Sequence, residues 1–246
     1  MSTPDPHIAQ ETTETDWTGY YKAPFRATSI TRNFTGALLE RYLSLGTASG
    51  SGASDSSSTH EIIEIGGANS CFYNRLCGAL KPSKYTVIDQ NQYGLDLFRD
   101  EHADEIDAGK AAAIESDVLD SEALKDIPKA DIVFSVGLIE HFDQQGTADS
   151  IRSHFRLCKP GGLVVMTFPT PTLLYRLTRR VAEITGKWVF HDERALRFPE
   201  VLEAADRDGV LIRSQINWPI FLTQGIVAYR TKSKVDQSVD QSKGSA

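Results

Sequence analysis

The sequence predicts an α/β fold: a doubly wound, mostly parallel seven-stranded sheet with an antiparallel strand near one edge. First, short apolar runs alternate with helical patterns after residue 60, which is typical of parallel strands covered on both faces. Second, the last two runs, 210–216 and 225–229, are too close for a helical crossover and must pair as a hairpin. Third, 246 residues with 40 % apolar and 24 % charged side chains can form a core without disulfides or metals.

The predicted elements follow each other in a regular order. The first helix after residue 60 stops before Pro82, and the sequence Lys159-Pro160-Gly161-Gly162 ends a later one. Leu95, Phe98, His102 and Ile106 recur at three- and four-residue steps, as in an amphipathic helix. Strands are predicted at 61–65, 85–88, 111–114, 132–136, 163–168, 210–216 and 225–229, and helices at 72–80, 93–106, 147–158 and 199–208.

The ends of the chain differ from this repeating region. Residues 1–16 are polar and carry four acids, which predicts a disordered tail, and 233–246 are similar. Residues 17–45 are predicted to form an N-terminal helical cap. Residues 46–59 hold six serines and three glycines, a composition typical of a flexible linker. The main domain is then expected over 60–232, with an insert at 170–198.

Charge and cysteine content exclude several classes of protein. Lys and Arg number 26 against 33 Asp and Glu, a net charge of −7, which argues against a nucleic-acid partner. The three cysteines form no CxxC pair, so a zinc or redox centre is not expected. Neither a signal peptide nor a transmembrane segment is apparent. We therefore expect a cytoplasmic protein with reduced thiols.

The ligand of such a sheet lies beyond the carboxyl ends of its strands. Strand one ends at Glu64-Ile65 and turns through Gly66, Gly67 and Ala68, where small residues let a ligand approach the backbone. Strand two ends at Asp89-Gln90, 25 residues after Glu64. A carboxylate there can accept hydrogen bonds from both hydroxyls of a ribose.

Strands three and four end in further polar loops. Asp117, followed by Val118, can bond an adenine amine or cap the next turn, and both alternatives stay open. Strand four runs through Ser135 and Val136 to Gly137 and then to Glu140-His141. His141 is a candidate general base; alternatively, the Glu-His pair caps the following helix.

Over residues 60–232 the chain resembles the class I S-adenosylmethionine-dependent methyltransferases. The resemblance rests on residues 64–70, Asp89, residues 137–142 and residues 159–162. In the family pattern acid-x-Gly-x-Gly-x-Gly, Glu64 and Gly66 match, whereas Ala68 and Ser70 replace the later glycines. The resemblance implies S-adenosylmethionine as cofactor, with the methionyl part on Glu64, Gly66, Gly67 and Ala68, the ribose on Asp89 and Gln90, the adenine on Asp117 and Val118, and the sulfonium beside Ser135, Val136 and Gly137.

Some ubiquinone-forming relatives bind a metal through the motif Glu-x-x-Glu-His. Here Gly137 stands where the first glutamate would be, so no metal is expected.

The acceptor side is predicted to lie in the insert. Residues 170–198 hold six Lys and Arg against three Asp and Glu. Leu173, Leu177, Val181 and Ile184 fall on one helical face. The ordinary interpretation is a packed helix with a solvated polar face. The alternative is a lid with a basic surface for an anionic or membrane-linked acceptor, which would give a peripheral membrane contact.

Residues 188–194 combine aromatic rings with titratable groups, as ring or sugar binding requires. We expect the acceptor to contact Arg176, Trp188, Asp192 and Arg194, with His191 as a second candidate base. Trp17, Tyr20, Tyr21 and Phe25 precede the first helix and either close over the cofactor or anchor the N-terminal segment.

The favoured function is O-methylation of a small molecule or glycan. A nicotinamide-dependent dehydrogenase would need glycines at Ala68 and Cys71, counted from Gly66. A non-catalytic nucleoside- or partner-binding protein on the same fold is the remaining alternative.

Overall fold

The predicted seven-stranded sheet is confirmed in a computed structural model, which describes residues 14–22, 30–48, 60–217 and 224–232. The strand order is β3-β2-β1-β4-β5-β7-β6. β7 runs antiparallel to both β5 and β6, while the other neighbouring pairs are parallel. The strands are β1 (Glu61–Ile65), β2 (Lys84–Asp89), β3 (Ala111–Glu115), β4 (Ala130–Val136), β5 (Cys158–Pro169), β6 (Gly209–Asn217) and β7 (Gln224–Thr231).

Helices cover both faces of this sheet. One apolar core lies between the sheet and α6 and α8, and the other lies beneath α2, α3 and α4. Short 3₁₀ turns occupy Ala123–Asp126 and Ile139–His141. The helices are α1 (Trp17–Lys22), α2 (Ile30–Ala48), α3 (Tyr73–Leu80), α4 (Gln92–Glu101), α5 (Ala103–Asp107), α6 (Gln144–Leu157), α7 (Leu173–Ile184) and α8 (Phe198–Ala205).

The helix predicted over 93–106 is two helices, α4 and α5, which meet at His102. The His102 ring is buried beside Tyr73 and Phe98, with ring centroids 4.2 and 4.7 Å away. Phe98 in α4 and Ile106 in α5 belong to the same core. The three- and four-residue spacing of the apolar side chains therefore continues from α4 into α5, and it does not show that the helix is interrupted at His102.

The first three residues of the linker predicted over 46–59 belong to α2, which continues to Ala48. Gly46 lies against the sheet: a Cβ there would be 2.8 Å from Ile132 Cγ1. The sequence suggests that this glycine provides flexibility, but in the structure it allows α2 to pack closely on the sheet. The rest of the predicted linker, 49–59, lies outside the described residues.

Residues 14–16 of the tail predicted over 1–16 belong to the described structure. Thr15 is buried, and both its N–H and its hydroxyl donate to the Asp192 carboxylate. Polarity alone predicts no packing, but a buried hydrogen-bond partner holds this polar residue in place. Residues 1–13 and the predicted tail at 233–246 lie outside the described residues.

The helix predicted within the insert is α7, but it packs in the opposite sense from the ordinary interpretation. Tyr175 is buried on its inner face, while Leu173, Leu177, Val181 and Ile184 are exposed. The sequence pattern of α7 distinguishes an apolar face from a polar face, but it does not determine which of the two packs against the rest of the protein. Across the described residues, no helix is both long and apolar enough to cross a membrane.

Candidate functional site

A cavity of about 780 Å³ lies at the carboxyl ends of β1, β2, β3 and β4, where the strand order reverses. This is the edge at which doubly wound sheets bind ligands. The predicted site residues that line it are Glu64, Gly66, Gly67, Asp89, Gln90, Asp117, Val118, Val136, Gly137, His141 and Asp192. The structure therefore brings most of the predicted cofactor residues and one candidate base into one cavity.

The loop after β1 is built around a buried carboxylate. Glu64 accepts hydrogen bonds from the Tyr85 hydroxyl, at 2.7 Å, and from the Ser70 hydroxyl. Burial raises the pKa of Glu64 to about 7, against the lowering effect of these two hydrogen bonds. A Cβ on Gly67 would lie 2.7 Å from the Glu64 carboxyl carbon. The loop therefore needs glycine at position 67, and a cationic ligand group would stabilise the charged form of Glu64.

The two residues that replace family glycines keep a left-handed backbone. Ala68 has φ +41° and Ser70 has φ +37°, which costs free energy for residues with a Cβ. The Ala68 side chain is fully buried against Gly94, and Ala68 does not line the cavity. Its backbone N–H donates to Asp89 instead.

Asp89 joins two loops of the cavity. Its carboxylate accepts hydrogen bonds from the N–H of Ala68, at 3.0 Å, and of Asn91, at 2.8 Å. Burial raises the pKa of Asp89, although hydrogen bonds from backbone N–H groups oppose the shift. Each carboxylate oxygen has a second lone pair, so Asp89 can accept a ligand hydroxyl while it holds both loops.

Asp117 and Ser135 have structural partners of their own. Asp117 Oδ1 accepts from the Leu119 N–H at 2.8 Å, so the capping alternative is realised in a residue that also lines the cavity. The fully buried Ser135 hydroxyl lies 2.8 Å from His154 Nε2, and Ser135 does not line the cavity. The β4 loop thus reaches the cavity through Val136 and Gly137.

His141 is paired with an acid at the side of the cavity. Its Nδ1 lies 2.9 Å from Asp192 Oδ1, and its ring centroid lies 4.9 Å from that of Trp17. Burial raises the pKa of Asp192, but hydrogen bonds from Thr15 and His141 outweigh it and hold the pKa below its ordinary value. An ionised Asp192 requires a proton on Nδ1 of His141, which leaves Nε2 as the basic nitrogen.

Burial also sets the protonation of His141 itself. It lowers the pKa of His141, and the hydrogen bond and charge of Asp192 act in the opposite direction. The imidazole is therefore neutral at pH 7 and can accept a proton.

Two further glutamates lie beside His141. Glu140 is buried, and within the described residues its Oε2 has no hydrogen-bond partner. Burial, followed by the charges of Glu193 and Asp192, raises the pKa of Glu140 well above its ordinary value. Glu140, His141 and Glu193 offer ligand atoms within 4.8 Å of one another. Sequence reasoning missed Glu193, which comes from the insert and brings a second carboxylate to the Glu-His pair.

Aromatic rings form one wall of the cavity. Trp17, Tyr20 and Tyr21 of α1 line it together with Phe190 of the insert. The ring centroid of Phe190 lies 5.8 Å from that of Trp17 and 5.6 Å from that of Tyr20. The predicted N-terminal cluster therefore contributes to the cavity, while Phe25 lies outside the described residues.

Four predicted acceptor-side residues do not line this cavity. The Arg194 side chain donates to the Phe142 carbonyl at 2.7 Å, and also to Thr147 and Glu200. Trp188 is buried, and the Arg179 guanidinium carbon lies 5.0 Å from the centroid of its ring. Arg176 is exposed on α7, and His191 is exposed at an adjoining, smaller depression. Of these four, only Arg194 attaches the insert to the rest of the domain, and none of them contacts the cavity.

Comparisons with known proteins agree with this geometry. Residues 63–166 match the family model described as a methyltransferase domain. No curated protein matches the chain significantly.

Several solved structures have the same fold at low sequence identity. The N-methyltransferase NodS from Bradyrhizobium japonicum WM9, in complex with S-adenosyl-L-homocysteine, is 14 % identical with a TM-score of 0.56, over 82 % of this chain and 86 % of that chain. Magnesium protoporphyrin IX methyltransferase (ChlM) from Synechocystis PCC 6803, with bound S-adenosyl-L-homocysteine, is 11 % identical with a TM-score of 0.62, over 82 % and 85 %. An O-methyltransferase family protein from Burkholderia thailandensis is 15 % identical with a TM-score of 0.58, over 85 % and 62 %.

The family match covers β1 to β5, and the cavity contains the acid and glycine positions that carried the resemblance. Residues 63–166 therefore match a methyltransferase domain by sequence, and the chain shares its fold with solved methyltransferase structures.

Proposed function

We propose that the protein uses S-adenosylmethionine to methylate a hydroxyl group on a ring-bearing small molecule or glycan. One observation carries the proposal: the His141–Asp192 pair lines the same cavity as Glu64 and Asp89. Cofactor loops and an oriented base are then within reach of one reacting centre.

The described residues fit the cofactor by charge and by space. S-adenosylmethionine carries a sulfonium and an ammonium group, and the cavity is lined by several carboxylates, Glu64 and Asp89 among them. In the proposal the methionyl part lies on Glu64, Gly66 and Gly67, the ribose on Asp89 and Gln90, the adenine beside Asp117 and Val118, and the sulfonium beside Val136 and Gly137. NodS and ChlM, which share the fold, were solved with the demethylated cofactor bound.

The bound cofactor supplies an electrophilic methyl group. His141 Nε2 takes the proton of the acceptor hydroxyl as the oxygen–methyl bond forms and the sulfur–methyl bond breaks. Asp192, hydrogen-bonded to Nδ1, stabilises the imidazolium that results. Alignment of the oxygen with the methyl group supplies a large part of the rate, on the order of 7–11 kcal/mol in intramolecular reactions.

The aromatic wall supports a ring-bearing acceptor. Trp17, Tyr20 and Phe190 offer ring faces beside His141, a surface suited to an aromatic ring or to the apolar face of a sugar. The three cysteines are free thiols, which supports a cytoplasmic site for the reaction. A protein that only binds a nucleoside has no need of an oriented histidine–aspartate pair, so we favour the enzyme.

The test is transfer of a deuterated methyl group from labelled cofactor to a panel of phenols, catechols and sugars, read by mass spectrometry. His141→Ala should lower turnover about 10²–10⁴-fold, while His191→Ala, outside the cavity, should leave it unchanged. Turnover should persist in EDTA, because His141 is proposed to act as a base and not as a metal ligand. Full turnover of His141→Ala on every acceptor that reacts would exclude the proposed base.

A further inference from the structure

Helix α7 exposes its apolar face. Leu173 is 85 % exposed, Leu177 63 %, Val181 53 % and Ile184 73 %, and their three- and four-residue spacing places them in one stripe. Most other aliphatic side chains of the described residues fill the two cores, although Val210, Leu211 and Ile212 of β6 are also exposed. A contiguous exposed stripe of this kind indicates a binding surface.

The helix is fixed in this orientation from its inner side. Tyr175 is buried and donates to Glu193 at 2.6 Å. Arg179 donates to the Glu193 carbonyl at 2.8 Å and lies over the Trp188 ring. Thr172 caps the helix by accepting from the Tyr175 N–H at 3.1 Å. Because both polar and aromatic contacts hold the inner face, rotation of the stripe into the protein would break them all.

Positive charge lies beside the apolar stripe. Arg176, Arg180 and Lys187 are exposed, and none of them forms an ion pair within the described residues. Glu183, the acid of this helix, is already paired with Arg179 at 2.8 Å. The face is therefore locally cationic on a chain whose net charge is −7.

We propose that α7 is a membrane-docking helix that lies in the plane of an anionic lipid surface. The apolar stripe would enter the boundary between headgroups and acyl chains, and the three cations would contact lipid phosphates. A second copy of the chain fits this face less well, because a two-fold contact would bring the same cations together. Docking does not depend on the proposed methyl transfer. It would place the cavity, which Tyr175 also lines, next to the lipid surface.

The experiment is cosedimentation of the full chain with vesicles of phosphatidylcholine, with and without phosphatidylglycerol, at low and at high salt. Binding to the anionic vesicles should exceed binding to the neutral ones about tenfold or more, and salt should weaken it. Leu177→Glu with Ile184→Glu should reduce binding about tenfold or more, since both side chains are exposed and the fold does not depend on them. Val210→Glu, a change at an exposed valine of β6, is the matched control and should bind like the unmodified chain.

The contribution of the cations is tested separately in the double variant Arg176→Glu and Arg180→Glu. The control is Arg207→Glu, at an exposed arginine outside α7. The α7 pair should reduce binding to anionic vesicles by about tenfold or more, and the control by far less. Absence of binding to anionic vesicles would overturn the proposal. So would equal losses in the Val210 and Leu177/Ile184 variants, or a concentration-dependent dimer that the Leu177/Ile184 change dissolves. All of these readouts are independent of methyl transfer.

Discussion

At the scale of single residues, the hydrogen bond between His141 and Asp192 predicts the pH dependence of turnover. Burial lowers the pKa of His141, so turnover should be full at neutral pH and fall only as the pH drops through that lowered pKa, where the protonated ring cannot accept a proton. Asp192 opposes this lowering. Asp192→Asn should therefore move the acid limb of the kcat profile to lower pH and reduce kcat by about 10²–10⁴-fold.

The matched control is Asp149→Asn, at an acid paired with Arg152 away from the cavity. It should leave both the limb and kcat unchanged. A limb that stays in place in Asp192→Asn would show that Asp192 does not control the protonation of the base.

Asp89 provides a second test, on affinity instead of rate. Its removal should weaken binding of S-adenosylhomocysteine by about 1.5–3 kcal/mol, the range for hydrogen bonds to a charged group, as measured by titration calorimetry. Asp117→Ala should cost less, since Asp117 already caps the Leu119 N–H. Equal effects of the two changes would contradict the assignment of Asp89 to the ribose. Because Asp89 also accepts hydrogen bonds from Ala68 and Asn91, thermal melting of each variant checks that it is still folded.

Residues at strand ends could be predicted because topology brings them together whatever else surrounds them. Glu64, Asp89 and His141 were found by this rule and line one cavity. For the insert, no comparable topological rule predicts which side chains face the cavity. Asp192, predicted as an acceptor contact, bonds to His141, while the adjacent His191 lies outside the cavity and Glu193 was overlooked. Which of three consecutive side chains faces inward depends on distant contacts that the sequence does not display.

At the scale of elements, the loop after β1 and the start of α4 are packed against each other through Ala68 and Gly94. A Cβ on Gly94 would lie 2.6 Å from the Ala68 Cβ. Gly94→Ala should therefore destabilise the protein by about 1–3 kcal/mol, the usual range for overpacking, although alanine favours a helix. In the Ala68→Gly background the closest contact is removed and only the Tyr21 ring, at 3.3 Å, stays tight, so the same change should cost much less, because alanine favours a helix.

Denaturant unfolding of the four proteins of this cycle measures the coupling. An additive result, with Gly94→Ala equally costly in both backgrounds, would mean that the two elements do not touch as described. The exposed Gly78→Ala in α3, whose Cβ would meet no atom within 4 Å, reports the effect of helix propensity alone.

The apolar runs predicted the strands well, because a parallel strand that is buried on both faces consists almost entirely of apolar residues. β1 was predicted with the bounds that the structure shows, Glu61–Ile65. Helices were harder, since periodicity defines faces but not breaks or partners. It missed the division between α4 and α5 at His102, and it could not show that α7 turns its apolar stripe outward.

At the scale of the whole molecule, the cavity is completed by two segments that are far apart in the sequence. Thr15 bonds to Asp192 across 177 positions, and Trp17 lies against His141 and Phe190. In the proposed function, the repeating sheet supplies the cofactor loops, whereas α1 and the insert, which line the same cavity, supply the acceptor side. This division explains why the family resemblance predicts the former from sequence and leaves the latter to the structure.

The measurement that tests this account most directly is titration calorimetry of the full chain with S-adenosylhomocysteine, with NAD as the competing ligand. The cavity formed by Glu64, Gly67 and Asp89 should bind S-adenosylhomocysteine at a single site per chain, with a dissociation constant on the order of 1–100 μM. NAD should give no saturable heat, because Ala68 and Cys71 occupy the positions where its loop needs glycine. Saturable binding of NAD without binding of S-adenosylhomocysteine would contradict the account.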